Sequence, residues 1–238
     1  MAYNFLGLVN DVNRRLNEVE LNSSNFLNAV GAYSMVKDAV NASIRFVNQH
    51  EFEWPFNHVT EEETITAGIT RYAFPADTKV LNMNSFRIKR NDTLGNESKK
   101  LSVLSYEEYL EKYVDIEYNT STNLRQLPTF VFKAPSTEFG LVNPPDKAYE
   151  LVYEYYRLPV DLINATDVPT VPEQFRYVLV NGAMHFAYLF KGEATESDIM
   201  QQRFEQEIKQ MRSLYINRYD YLRSTVINTT VQTNTRVS

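Results

Sequence analysis

Cysteine is absent from the 238 residues, which removes disulfides, thiolate zinc sites and cysteine nucleophiles together. Glycine occurs only seven times, and those glycines form no phosphate-cradling loop, no G-x-G-x-x-G and no nucleophile elbow. No apolar run approaches the ~20 residues that cross a bilayer, so no membrane partner is expected. The opening MAYNFLGLVNDVNRR has no basic n-region, and Asn and Asp interrupt its apolar residues; no secretory signal is expected there. Positive charge is also short, with 24 Lys and Arg against 30 Asp and Glu and a net charge of −6. Gripping DNA through its phosphates takes clustered Lys and Arg. The nearest approach is FRIKRN, where alternation puts Arg87 and Lys89 on one solvated strand face. His50, His58 and His185 match no metal-ligand spacing, so structural roles are expected for them, and neither a metal nor a cofactor.

Aromatic residues are plentiful, with 16 Tyr and 14 Phe. Tyr joins a large apolar area to one polar handle, which suits either a half-wet core or a repeated subunit interface. Period separates the chain into parts. Phe5, Leu8, Val9, Val12, Leu16 and Val19 recur at helical spacing over residues 4–19, with Asn4 as cap. Ser23 or Ser24 is expected to cap a second helix whose stripe is Phe26, Val30, Tyr33, Val36, Val40, Ile44 and Val47. Pro55 ends it, because the residue before proline leaves the α region. From Val59 to about Tyr156 the period shortens. TITAGITRYAFP predicts two short strands around Ala67-Gly68, and SFRIKRND, KLSVLS, PTFVFKA, FGLVNPPD and AYELVYEYYRLP predict further strands. SYEEYLEKY between them reads as a short helix capped by Ser105.

Helical spacing returns after Pro172, which with Glu173 suits a helix start; that helix runs to Phe190 and Gly192. Thr195 to Asp198 resembles a capping box before a last stripe of Met200, Phe204, Ile208, Met211, Tyr215, Tyr219 and Leu222. The fold class expected is α+β. A helical bundle from the two chain ends (1–58 and 165–224) carries an inserted small antiparallel β module (59–164) and an extended carboxy-terminal arm (225–238).

The chain's one tryptophan stands in EFEWPFNHVT, where helix gives way to strand. Phe52, Trp54, Pro55 and Phe56 read as a plug that fixes the joint between helices and sheet, burying rings worth about 1.5–3 kcal/mol each. The alternative is a ligand platform, which requires a pocket with converging polar groups. Glu61-Glu62-Glu63 and Glu107-Glu108 offer carboxylates, yet adjacent acids on a strand point to opposite faces.

Two stretches carry a family resemblance: NQHEFEWPFN, and VPEQFRYVLVNGAMHFAYLFKGEATES followed by a long helix. They resemble the head-to-tail adaptors of short-tailed bacteriophages, of the tail tubular protein A type. Pro172, Glu173, Phe175, Arg176 and Tyr177 match the opening of that family's penultimate helix, and Phe190 and Gly192 its close. ITAGITRYAFPAD and APSTEFGLVNPPDKAYELVYEYYRLP look like its β insertion, in a middle region longer than in compact members. The resemblance implies a structural protein, not an enzyme. It implies a ring of twelve copies in the virion neck, between the portal protein and the tail nozzle, through which DNA passes on ejection without being held. It further implies that the β module faces the nozzle or tail fibres, that the protein waits in the host cytoplasm during assembly, and that terminal extensions embrace the portal. Thr225, Val226, Ile227, Val231, Arg236 and Val237 are the candidate portal-binding arm. Two other readings stay open on the residues alone: a tail-associated cell-wall hydrolase using paired carboxylates, and a monomeric module binding protein or carbohydrate.

Overall fold

Asn4 is extended and its side-chain oxygen accepts the Gly7 N–H at 2.9 Å, so helix α1 (Phe5–Arg15) begins with the expected cap. The computed structural model describes residues 2–92, 95–118 and 121–215. α1 stops short of the expected Val19 because Asn17 turns into the left-handed region at φ 58°. Asn10 then holds the returning chain, donating to the Leu21 carbonyl and accepting the Leu21 N–H, both at 2.8 Å.

The second helix differs from expectation at its start: α2 spans Ala32–His50, and neither Ser23 nor Ser24 caps it. The Asn22 side chain takes the N–H groups of Ser24 and Asn25 into a local turn, and Gly31 breaks the path at φ 65°. Phe26 is nevertheless drawn into the core, edge-on to Phe5 at 5.0 Å, while Val30 is left exposed. From Val36 to Val47 the predicted stripe is buried.

Pro172 precedes a 3-10 turn at Glu173–Phe175, which opens α5 (Arg176–Lys191). Gly192 closes α5 in the left-handed conformation at φ 80°. The expected capping box is absent from α6 (Ala194–Tyr215), because the helix already includes Ala194. Ser197 is instead buried against His185. The helices of both chain ends share one core, in which α5 lies against α1, α2 and α6.

The middle of the chain forms two four-stranded sheets. The first has order β1 (His58–Ile65), β8 (Tyr149–Arg157), β3 (Thr78–Asp92), β4 (Gly95–Lys100), antiparallel throughout. The second has order β2 (Arg71–Ala73), β7 (Glu138–Val142), β6 (Phe130–Ala134), β5 (Ser102–Leu104). The β module is therefore not wholly antiparallel, since β5 and β6 run parallel. The chain between them crosses over through α3 (Tyr106–Lys112) and α4 (Val114–Tyr118). Ser105 caps α3 as expected. The strands flanking Ala67-Gly68 separate, β1 joining β8 and β2 joining β7.

The sheets pack face to face around Phe86, Phe139 and Tyr153, whose rings lie 4.7–5.4 Å apart. On β8 the alternation is as predicted: Leu151, Tyr153 and Tyr155 are buried, and Val152, Glu154 and Tyr156 face partly outward. The far side of the second sheet carries α3, with Tyr109 stacked on Phe132 at 3.9 Å.

Candidate functional site

The last turn of a helix leaves carbonyls without partners, and at the end of α2 they are claimed from two directions. From the helical side, Trp54 Nε1 donates to the Val47 carbonyl at 2.8 Å. Its ring is 0% exposed in the helical core and stacks on Phe56 at 5.4 Å. Phe56 meets Tyr215 at the end of α6, and Tyr215 meets Phe175 at the start of α5. From the sheet side, the Lys79 ammonium at the start of β3 donates to the Asn48 carbonyl, and to the Glu51 carbonyl at 2.8 Å. A cation at the negative end of a helix is favourably placed. Burial nonetheless pulls the Lys79 pKa down, with Glu51 acting in the opposite sense. Asn57 donates to the Asn48 side chain, and Arg212 of α6 pairs with Glu51 at 3.0 Å.

One member of the predicted joint behaves otherwise. Phe52 is 63% exposed, not buried beside Trp54, because the chain leaving α2 is extended at Glu51 and turns that ring outward. It stands 5.3 Å from the Lys79 ammonium. Pro55 opens the 3-10 turn Pro55–Asn57 that leads into β1. The part of Lys79 has no local signature in the sequence, because it joins residues about thirty positions apart.

A second tie joins α1 to α5. The Arg176 guanidinium donates to Asp11 at 2.6 Å, with the Gly7 carbonyl at 3.5 Å and Glu173 at 4.0 Å. Arg15 reaches Asn181, which in turn donates to Glu207 on α6 at 2.7 Å. Of the family-matching residues, Phe175 is buried, Pro172 and Arg176 are half-buried, and Glu173 is exposed. Tyr177 is 66% exposed, its ring under the Arg15 guanidinium at 5.7 Å.

Groups suited to chemistry are mostly spent on structure. Ser197 Oγ lies 3.0 Å from His185 Nδ1, a spacing that a nucleophile and base could share. Both are buried between α5 and α6, however, and the hydroxyl also donates to the His185 carbonyl. Glu117 is enclosed by Arg71, Tyr109 and Thr70. Burial pushes its carboxyl up, and the hydrogen bonds from Arg71 and Tyr109 outweigh that, leaving the pKa below the usual carboxylate value. On β1 the acids diverge: Glu62 pairs with Lys89 at 2.6 Å, while the Tyr153 hydroxyl donates to Glu63 at 3.4 Å. Glu108 pairs with Lys112 along α3.

Among the described residues no three of His, Asp or Glu gather closely enough to hold a metal, and no helix is long and apolar enough to cross a membrane. A cleft of about 350 Å³ lies between Ile44 and residues 157–170, and another of about 250 Å³ beside Arg45 and Lys79. Trp54 lines neither of these two clefts, its ring being closed off in the helical core. The arm residues Thr225, Val226, Ile227, Val231, Arg236 and Val237 lie outside the described residues.

Compared with known proteins, the chain is matched over residues 3–230 by the sequence model of a family described as SU10 adaptor protein. No curated protein matches it.

Proposed function

The chain belongs to the SU10 adaptor protein family, and from that premise we propose that it is the head-to-tail adaptor of a phage virion, working as a closed ring in the neck. Twelve copies is the stoichiometry its family resemblance favours. The helical segments 1–58 and 165–224 form the wall, seated on the portal protein. The module at 59–164 faces the tail nozzle and fibres. Residues 225–238 reach the portal as an arm, and DNA crosses the centre during ejection.

The observation that carries this reading is the extent of the family match, from residue 3 to residue 230. That span takes in both helical ends and everything between them, so the shared pattern belongs to the whole architecture. Two physical features support it. The shared core of α1, α2, α5 and α6 gives a stiff unit to repeat around an axis. The net charge of −6 keeps a conduit from holding phosphate.

Native mass measurement of the full chain, alone and with the portal protein of the same phage, tests the reading. The expected result is a closed oligomer in at least one of the two samples. A monomer in both overturns it.

A further inference from the structure

We propose that the free edge of β1 in one copy pairs with the free edge of β4 in the next, so that the first sheet runs on from copy to copy. This rests on the ring reading above and names the surface that would close the ring. Among the described residues β1 bonds only to β8, and β4 only to β3. Each therefore presents a row of unpaired backbone N–H and C=O groups, a template for another strand.

Charge chooses the partner. β1 carries Glu61, Glu62 and Glu63 in succession, and from His58 to Thr64 its residues alternate between exposed and half-buried. β4 ends in Lys99 and Lys100, with Arg87 directly across from Lys100. Lys89 is engaged by Glu62 and Glu150, whereas Arg87, Lys99 and Lys100 make no ion pair among the described residues. Two β1 edges would set glutamates against glutamates, and two β4 edges lysines against lysines. Only the unlike pairing is complementary, and such head-to-tail contacts generate closed rings when the rotation closes.

Strand direction permits it. The four strands alternate in direction, so β4 runs opposite to β1. The β1 of an identically oriented neighbour then arrives antiparallel to β4.

The pleat narrows the register. Thr60, Glu62 and Thr64 share the outer face with Glu154, Val152 and Glu150. Ser98 and Lys100 share it through Lys89 and Arg87. Glu61, Glu63 and Lys99 belong to the face toward the second sheet. One register keeps the faces matched and sets both lysines opposite acids: Lys100 with Glu62, Lys99 with Glu63 and Ser98 with Thr64. A slip of two residues one way puts Lys99 opposite Ile65. A slip the other way puts Lys100 opposite Thr60.

Because the chain has no cysteine, cross-linking tests this without background. Full-length Thr64→Cys and Ser98→Cys chains are mixed, allowed to assemble and oxidised, with native mass read on the same samples. Directly opposed positions lie within disulfide reach. The expected result is covalent dimers from the mixture, several-fold above either variant alone and above Thr60→Cys mixed with Ser98→Cys. Oligomers that form without mixed dimers overturn the edge pairing and leave the ring reading standing. Monomers in every sample, with and without portal protein, overturn both. As an independent check, K99E/K100E should melt like the wild type yet assemble about tenfold or more weakly, and copies carrying E62K/E63K should restore assembly on mixing. Undiminished assembly of K99E/K100E overturns the proposal.

Discussion

Trp54 and Phe52 stand two residues apart, and the α2 end treats them in opposite ways. Trp54 fills a closed space and satisfies a carbonyl of the last helical turn, so Trp54→Ala loses its packing and orphans the Val47 carbonyl together. A loss of ~3–5 kcal/mol is expected from the truncated ring, read as a lower denaturant midpoint at unchanged slope. Phe52→Ala, at an exposed ring, should stay within ~0.5 kcal/mol. Equal losses from the two variants would contradict the assigned burial. The tyrosines add a pH dependence. Burial, chiefly, raises the pKa of Tyr3 and Tyr153 well above the ordinary 10.0 and that of Tyr109 to about 12. A raised folded-state pKa means that above pH 10 the unfolded chain sheds protons which the folded chain keeps, so stability is intact below pH 10 and falls as pH rises beyond it. Lys79 acts in the opposite sense, its lowered pKa relieving a penalty as pH climbs toward 10.5, but it is one group against the six tyrosines raised among the described residues. Alkaline titration should therefore show tyrosinate absorbance and loss of helical circular dichroism rising together above pH 10. Complete tyrosine ionisation in a still-folded protein would refute the assigned burial.

Elements are where the sequence was most readable, and also where it misled. α5 was legible because Pro172, Glu173 and Gly192 are strong punctuation, and β8 because its alternation is unbroken. The α2 start was not, because Phe26 and Val30 keep the helical spacing while Gly31 and the Asn22 turn break the backbone. A stripe records which side chains seek the core and not whether the chain between them is helical. The parallel β5–β6 pair was equally hidden, since strand direction depends on the crossover and not on the strand's own residues. Of the joint, the Trp54 half could be read from its neighbours, whereas Lys79 could not. Gly182 shows the same limit from the side of packing. It sits within α5, where glycine is ordinarily a weakness worth about 1 kcal/mol relative to alanine. Here a methyl group would overlap Ser43 Oγ of α2 and the Phe204 ring of α6 at once. Gly182→Ala should therefore destabilise, by about 1–3 kcal/mol as overpacking usually does, despite its better propensity. A higher melting temperature in that variant would mean that the three helices are less closely packed than described.

At the scale of the whole molecule, charge and connection act together. The helical core and the sheet sandwich are separate hydrophobic clusters, tied where Lys79 of β3 reaches the carbonyls at the end of α2. Each copy adds a net charge of −6 to any assembly, so a ring becomes more repulsive to phosphate as it grows. Several of the cations that could offset this are committed within the chain: Arg71 to Glu117, Lys89 to Glu62 and Glu150, and Arg176 to Asp11. Proteins that hold duplex DNA without sequence preference do so with dissociation constants of ~10⁻⁴–10⁻⁶ M at physiological salt, through counterion release by free Lys and Arg. A conduit must avoid even that, because DNA that sticks to the neck slows its own exit. The assembled protein should therefore fail to retard linear duplex DNA in a gel at concentrations up to ~10⁻⁴ M and physiological salt, conditions under which such a non-specific binder retards it. Retardation at micromolar protein that disappears as salt is raised would mean that a cationic surface meets the DNA, and would overturn the passive conduit proposed for this protein.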